Sequence, residues 1–267
     1  MKLSVGMAWE EASAFLAREA RLVAPVALAL FAFPSVLLNW AYPAGETGSA
    51  GGGAMLGLLA ILIAVMIGQM TIVLLSIGWR GSIGEAMGKV AKRVPALLGA
   101  ALIVFAPLLV IFSVLLAAML VAGGIKDPAT LTPESMMQIP NVGWVILALV
   151  LLIIFIGVRL FPMSAVAANE QVGPIGLLKR SWAITSGHFG RLVALVLLLM
   201  VAVLALNAAV AAVIGSIAAL VLGEARPFNL SALVIALAAG LVSALVSSVS
   251  AAIIGRVYAQ LSADAEA

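Results

Sequence analysis

Long apolar stretches recur six times along the chain, and most polar residues lie between them. A helix that crosses a bilayer needs about 20 mostly apolar residues, because the hydrocarbon layer is about 30 Å thick and each residue adds about 1.5 Å. The stretches that reach this length occupy residues 22–42, 54–78, 95–122, 142–168, 192–222 and 231–260. The pattern therefore predicts an all-α integral membrane protein with six transmembrane helices.

The overall composition is too apolar for a water-soluble protein. Hydrophobic residues make up 65% of the chain and charged residues 9%, whereas a soluble domain has about 45–50% and about 25%. Glu10, Glu11 and Glu19 precede the first apolar stretch, where a cleaved secretory signal would have a basic segment. We therefore interpret the first stretch as a retained helix.

The distribution of Lys and Arg predicts the orientation, because these residues are enriched in cytoplasmic segments. If the N-terminus lies inside, Lys126 and Arg226 are the only basic residues that fall outside. We expect both termini in the cytoplasm. The Ala-, Val- and Gly-rich composition suggests a bacterial protein, and hence a multi-pass protein of the inner (plasma) membrane.

A similar short segment precedes the first, third and fifth stretches. Each copy begins with an aliphatic residue and a glycine, at Val5-Gly6, Ile83-Gly84 and Ile175-Gly176. We predict three tandem units, each with a cytoplasmic interfacial amphipathic helix, a span, a turn and a returning span. The units are residues 4–79, 82–170 and 174–260, followed by a short disordered tail at 261–267. Repeats of one orientation imply a pseudo-symmetry axis along the membrane normal.

Apolar residues recur at helical spacing in these three segments, as in helices that lie in the membrane interface. The stripes are Val5, Trp9, Ala12 and Leu16; Ile83, Met87, Val90 and Val94; and Ile175, Leu178 and Trp182. Leu177 and Ile184 lie off the third stripe, which indicates that this helix is also buried against the bundle.

Residues 170–189 read EQVGPIGLLKRSWAITSGHF. This stretch resembles the E-x-x-G … (K/R)-R-S-W-x-(L/I)-T-x-G-x-(F/W) segment of the membrane domain found beside glycerophosphodiester phosphodiesterases and of related stand-alone six-span bacterial proteins. An amphipathic helix leading into the first span fits that layout too. The resemblance implies a six-span membrane-domain fold. In that family the catalytic activity resides in a separate soluble barrel with acidic metal ligands and histidines, which this sequence does not contain, so the resemblance implies no hydrolase activity.

Several basic residues are candidate contacts for an anionic lipid or ligand. Arg159 lies in or near the fourth stretch, and an ionisable residue there is either a functional site or a side chain that extends to the interface. The others form two cytoplasmic groups that attract headgroups or only fix the topology. They are Lys179 and Arg180, and Lys89, Lys92 and Arg93. Trp9 and Trp182 suit the interface as anchors.

Polar and small residues within the spans predict helix packing. Gln69 and Asn207 are expected to form hydrogen bonds with other helices, although a polar pathway is the alternative. Small residues recur every fourth position in the sixth stretch and predict a close-packing face, with a solute-lining stripe as the alternative. They are Ala236, Gly240, Ala244, Ser248 and Ala252, beside Ser243 and Ser247. Pro34, Pro107 and Pro162 predict kinks.

The sequence has no cysteine and a single histidine, His188. It contains no nucleotide-binding, metalloprotease or hydrolase motif, and its basic residues lack the density of a nucleic-acid surface. We therefore expect no enzyme activity, no metal, no cofactor and no nucleic acid. The first hypothesis is a lipid-interacting scaffold or an accessory subunit of a larger membrane complex, with membrane lipids and other membrane proteins as partners. The alternative is a transporter or lipid-handling permease.

Overall fold

The computed structural model describes residues 4–43, 52–123 and 142–265, in which all regular secondary structure is helical. The helices are α1 (Val5–Arg18), α2 (Ala20–Ala27), α3 (Phe33–Ala41), α4 (Gly52–Ile77), α5 (Ile83–Ala91), α6 (Val94–Ala122), α7 (Val142–Leu160), α8 (Met163–Asn169), α9 (Pro174–Thr185), α10 (Phe189–Leu222) and α11 (Leu230–Ala265). A π-helical segment, Leu28–Ala32, joins α2 to α3.

Six helical stretches are long and apolar enough to cross a membrane. They are Ala20–Ala41, Leu56–Ile77, Val94–Val121, Val142–Asn169, Phe189–Leu222 and Leu230–Ala263. The sequence-based prediction of an all-α chain with six such helices is confirmed. The fifth and sixth each contain 34 residues and exceed the roughly 20 that a crossing requires.

Two of the three predicted proline kinks coincide with breaks in regular α-helix. Pro34 has no N–H to donate to the carbonyl of Leu30, and the π-helical segment lies immediately before it. Pro162 follows the end of α7 and precedes the first residue of α8, so it divides the fourth span. At Pro107 the helix α6 continues without interruption.

The last helix, α11, is the centre of the bundle and packs against α1, α2, α3, α4, α8 and α10. Its predicted small-residue face is buried against the first two spans. A methyl group added at Gly240 would lie 2.9 Å from the carbonyl oxygen of Ala32, and one added at Gly255 would lie 3.0 Å from that of Val73. These glycines let the helix backbones approach more closely than any larger residue would.

The first helix lies against α11 through a face that includes Ala12 of the predicted stripe. Ala8, Ala12 and Phe15 are buried, whereas Trp9 is 53% exposed. The Glu11 carboxylate lies 3.8 Å from Arg256 on α11. Val5, Ala12 and Leu16 of the predicted stripe belong to the core or pack against it, and Trp9 is the member that lies on the exposed side.

The predicted disordered tail is wrong for residues 261–265. The helix α11 continues to Ala265, and Leu261 on it is only 2% exposed. The backbone N–H of Ser4 donates to the side-chain oxygen of Gln260, which links the start of α1 to this last part of α11. Residues 266 and 267 lie outside the described part of the chain.

The helices α5 and α9 lie at the same end of the bundle as α1. The first begins with a capping box, in which Ser82 and Glu85 each accept a backbone N–H of the other, and it packs on α4 and α8. The second buries Leu177 and Ile184, as predicted, and packs on α6, α7 and α8. We call this end the basic end, because every Lys and Arg in the described residues except Arg226 lies there.

The sixth helix in chain order, α6, packs on its neighbours only near its start. Leu97 and Ala100 are buried, and Gly99 lies against Pro174 of α9. From residue 101 to residue 121 no side chain is buried. The other two outgoing spans, by contrast, pack against their returning spans.

The close approach at α11 generates a stability prediction. We expect Gly240→Ala and Gly255→Ala each to lower the free energy of unfolding by about 1–3 kcal/mol, because the added methyl groups collide with neighbouring backbone. Gly215 on α10 has no atom within 4 Å of an added methyl group, so Gly215→Ala is the matched control and should be neutral or slightly stabilising. Thermal unfolding in detergent measures all three. Equal effects at the three glycines would contradict the packing described here.

Candidate functional site

An arginine surrounded by aromatic rings lies at the basic end. The guanidinium carbon of Arg159 lies 4.8 Å from the ring centroid of Trp182, 5.3 Å from that of Phe189 and 5.7 Å from that of Phe155. Phe155 packs against both other rings, with centroid separations of 5.7 Å and 5.4 Å. Each such contact attracts a cation by about 0.5–2 kcal/mol. The three rings thus form an aromatic cradle around one positive charge.

The backbone and hydroxyl groups of α9 hold Arg159 in place. Its carbonyl, freed because α7 ends one residue later, accepts a hydrogen bond of 2.7 Å from the Ser181 hydroxyl. Its Nη1 donates to the Thr185 hydroxyl at 3.4 Å. The position in the last turn of α7 also suits a cation, because the helix dipole is negative there.

Within the described residues, no carboxylate forms an ion pair with Arg159. Its Nε atom is buried and has no hydrogen-bond partner. Two other half-buried arginines differ from it. Arg180 Nε lies 3.0 Å from a Glu170 oxygen, and Arg256 faces Glu11. The charge of Arg159 is therefore balanced by aromatic rings and not by an acid.

A second polar cluster connects α8, α9 and α11. The Tyr258 hydroxyl donates to Glu170 Oε1 at 2.9 Å and accepts from the Asn169 amide at 3.2 Å. The same oxygen of Glu170 accepts from Arg180 Nε at 3.0 Å. Arg180, which was predicted to contact lipid, thus forms an ion pair with Glu170 within the protein.

Three of the remaining predicted basic residues lie together at one hollow of the surface. Lys89, Lys92 and Arg93 line a single hollow of about 550 Å³, together with Glu85, Gly88 and Gln171. We call it the basic hollow. Lys89 Nζ also lies 4.9 Å from the Trp79 ring centroid. Lys179 is exposed on α9 and is not among the residues that line the hollow.

The two predicted interfacial tryptophans have different surroundings. Trp182, 46% exposed, belongs to the aromatic cradle. Trp9 lies at a groove of about 170 Å³ between α10 and α11, lined almost entirely by aliphatic side chains. A second groove of about 270 Å³ lies between the first span and α11. Leu245 and Val249 line both grooves.

The predicted polar packing residues do not connect helices in the way expected. Asn207 is exposed and donates to the carbonyl of Val203 in its own helix, which corrects the expected interhelical bond. Gln69 is half-buried, with no side-chain hydrogen bond in the described residues. Ser248 is buried and donates to the carbonyl of Ala244, again within one helix, while Ser243 and Ser247 are half-buried.

Sequence reasoning missed Phe155, Asn169 and Tyr258. The signal for Phe155 was its spacing of four from Arg159, which places the two side chains one helical turn apart. Tyr258 lies 88 residues from Glu170, and only the folded chain brings them together. Among the residues that the structure describes, no group of three or more His, Asp or Glu side chains could hold a metal ion.

Comparisons with family models, with curated proteins and with solved structures found no match to this chain.

The polar cluster generates a second prediction. We expect Tyr258→Phe to lower the free energy of unfolding by about 1–2 kcal/mol, because Glu170 loses a donor and Asn169 an acceptor. The other tyrosine of the chain, Tyr42, is 44% exposed, so Tyr42→Phe is the matched control and should leave stability unchanged. Denaturation in detergent, followed by circular dichroism, compares the two variants. A cost shared equally by both would contradict a stabilising role for the cluster.

Proposed function

We propose that the protein is a non-enzymatic, multi-pass protein of the bacterial inner membrane. In this proposal it binds anionic lipids at its basic end and acts as a scaffold or accessory subunit of a larger membrane complex. The observation that supports it best is the convergence of Lys89, Lys92 and Arg93 on one hollow, beside a helix whose other face is apolar.

The electrostatics of a bacterial membrane favour this proposal. Basic residues near an anionic leaflet are attracted by about 1 kcal/mol each, and segments rich in Lys and Arg remain in the cytoplasm. Both rules favour a basic end, with the two termini, on the cytoplasmic side. The six apolar helices provide the membrane-embedded part.

Helix packing supports the finer proposal of three tandem units. The second and third short helices, α5 and α9, each pack on the returning span of the preceding unit. The first, α1, has no preceding unit and packs on α11, the returning span of the third. Each short helix thus contacts the returning span of another unit, and the three contacts connect the units in a ring. This is the arrangement expected if the units are related by an axis along the membrane normal.

The resemblance to the phosphodiesterase-associated membrane domain remains a proposal. The letters that the resemblance shares include Glu170, Arg180, Ser181, Trp182 and Phe189. Glu170 and Arg180 form an ion pair with each other. Ser181, Trp182 and Phe189 contact Arg159. A shared structural role for this stretch is one reason why such letters would recur in related membrane domains.

Two features support partner proteins and lipids as the interacting molecules. No side chain of α6 from residue 101 to residue 121 is buried in the described residues, which favours an accessory subunit whose partner covers that helix. The alternative of a transporter or lipid-handling permease is favoured by the two apolar grooves beside Leu245 and Val249. Exchange of labelled lipid between leaflets of reconstituted vesicles would favour this alternative.

The basic hollow can be tested with a charge-matched pair of variants. The first replaces Lys89, Lys92 and Arg93 with Gln, and the second replaces the exposed Arg18, Arg21 and Lys179 with Gln. Both remove three charges from the same end, but only the first empties the hollow of cations. We expect the first to reduce the preference for phosphatidylglycerol over phosphatidylcholine about tenfold, and the second to reduce it much less.

Native mass spectrometry of the purified protein with mixtures of the two lipids measures this preference. An equal effect of the two triple variants would show that only total charge matters. If neither triple variant changes the lipid preference, lipid binding at the basic end is contradicted.

A further inference from the structure

The guanidinium of Arg159 has hydrogen-bonding capacity that the described protein leaves mostly unused. An arginine has five N–H donors. One of those on Nη1 reaches the Thr185 hydroxyl at 3.4 Å, and Nε is buried without a partner. The surrounding rings attract the charge but offer no oxygen acceptor. Because Nε is buried, a ligand from outside reaches the donors on the Nη atoms, and the complementary ligand is an anion with oxygen atoms.

The protein does not supply this anion from its own described residues. The carboxylates of Glu170 and Glu11 face Arg180 and Arg256, and Arg159 has no ion pair. The site is also held in advance, because Ser181 fixes the Arg159 carbonyl and Phe155 packs on the other two rings. A charge fixed in this way needs little rearrangement to bind a ligand.

The planar guanidinium fork pairs with two oxygens of a phosphate or a carboxylate at once, and phosphate is the group that every membrane phospholipid carries. We infer that Arg159 and its aromatic cradle form a binding site for the phosphate group of a membrane phospholipid. This inference rests on the proposed membrane setting. A free phosphate ester from the aqueous side shares the same chemistry and is the other source.

The depth of Arg159 in the fourth span favours a lipid. It lies seventeen residues after Val142, the first residue of α7, which is about 26 Å along the helix. Counted back from Asn169, the last residue of this 28-residue span, Arg159 lies about 15 Å from the basic end, and its long side chain extends toward the headgroups there. Phe155 and Trp182 are 39% and 46% exposed, so they offer apolar surface to the acyl chains beside it.

This site differs from the basic hollow in what it recognises. The hollow presents three cations and distinguishes anionic from zwitterionic lipids. Arg159 is a single cation directed at the phosphodiester, which both kinds of phospholipid contain. We therefore expect the Arg159 site to retain phosphatidylcholine and phosphatidylglycerol equally well and to reject diacylglycerol, which has the same chains without phosphate.

The test uses the purified full-length protein, with native mass spectrometry as the readout. The probes are dioleoyl-phosphatidylcholine, dioleoyl-phosphatidylglycerol, dioleoylglycerol and inorganic phosphate. Wild type should retain either phospholipid about tenfold better than dioleoylglycerol. Arg159→Gln should lose this advantage for phosphatidylcholine and keep for phosphatidylglycerol only the part that the basic hollow provides, and Arg159→Lys should keep part of both. Arg226→Gln, an exposed charge at the opposite end, is the control and should behave as wild type.

Each result supports or overturns the site. Arg159-dependent binding of inorganic phosphate without phospholipid retention would support the phosphate site and assign its ligand to the aqueous side. Equal retention of dioleoylglycerol and the phospholipids by wild type would overturn it, whether or not a variant folds. Unchanged retention by a folded Arg159→Gln protein would overturn it too. If the triple variant of the basic hollow leaves lipid preference unchanged while Arg159→Gln abolishes retention, the proposed role of the hollow fails and the Arg159 site stands.

Discussion

Close contact between small residues of α11 and the first two spans is the interaction on which the rest of the bundle depends. Helices surrounded by lipid gain little by hiding apolar side chains from one another, so their association relies on van der Waals contact between backbones that approach closely. Gly240 and Gly255 provide this approach on opposite parts of α11, one against the first span and the other against α4. Larger residues at either position would separate the helices and weaken the contacts between them.

The same helix also joins the short helices at the basic end. Beyond Gly255, α11 meets α1 through Arg256 and Gln260, and α8 through Tyr258. Tyr258 in turn fixes Glu170, which binds Arg180 on α9. The cradle of Arg159 lies on the other face of α9. The central packing and the candidate lipid site are therefore connected through one short helix.

Much of this fold follows from the sequence. The parts that could not be predicted have one physical reason in common, which is that they depend on contacts between distant residues. Hydropathy alone predicts the six long helices, and a spacing of four predicts that Gly240 is buried. The face that a short helix buries is harder to predict, because it depends on the surface that receives the helix. Ala8 and Phe15 of α1 are buried, although neither belongs to the predicted stripe. The side-chain amide of Asn207 donates to the carbonyl of Val203 in its own helix. Residue type alone does not indicate whether such an amide bonds within its helix or to another one. The surroundings of Arg159 come from three different helices, so no local pattern could indicate them.

Thiol labelling of single-cysteine variants tests the orientation most directly, because the natural chain has no cysteine. Lys179→Cys places a thiol at the basic end, and Arg226→Cys places one at the opposite end; both residues are exposed. A membrane-impermeant maleimide added to intact spheroplasts should label Arg226→Cys and leave Lys179→Cys unlabelled until the membrane is opened. Labelling of Lys179→Cys in intact spheroplasts would contradict a basic end that faces the cytoplasm, and with it the proposed binding of cytoplasmic-leaflet lipids.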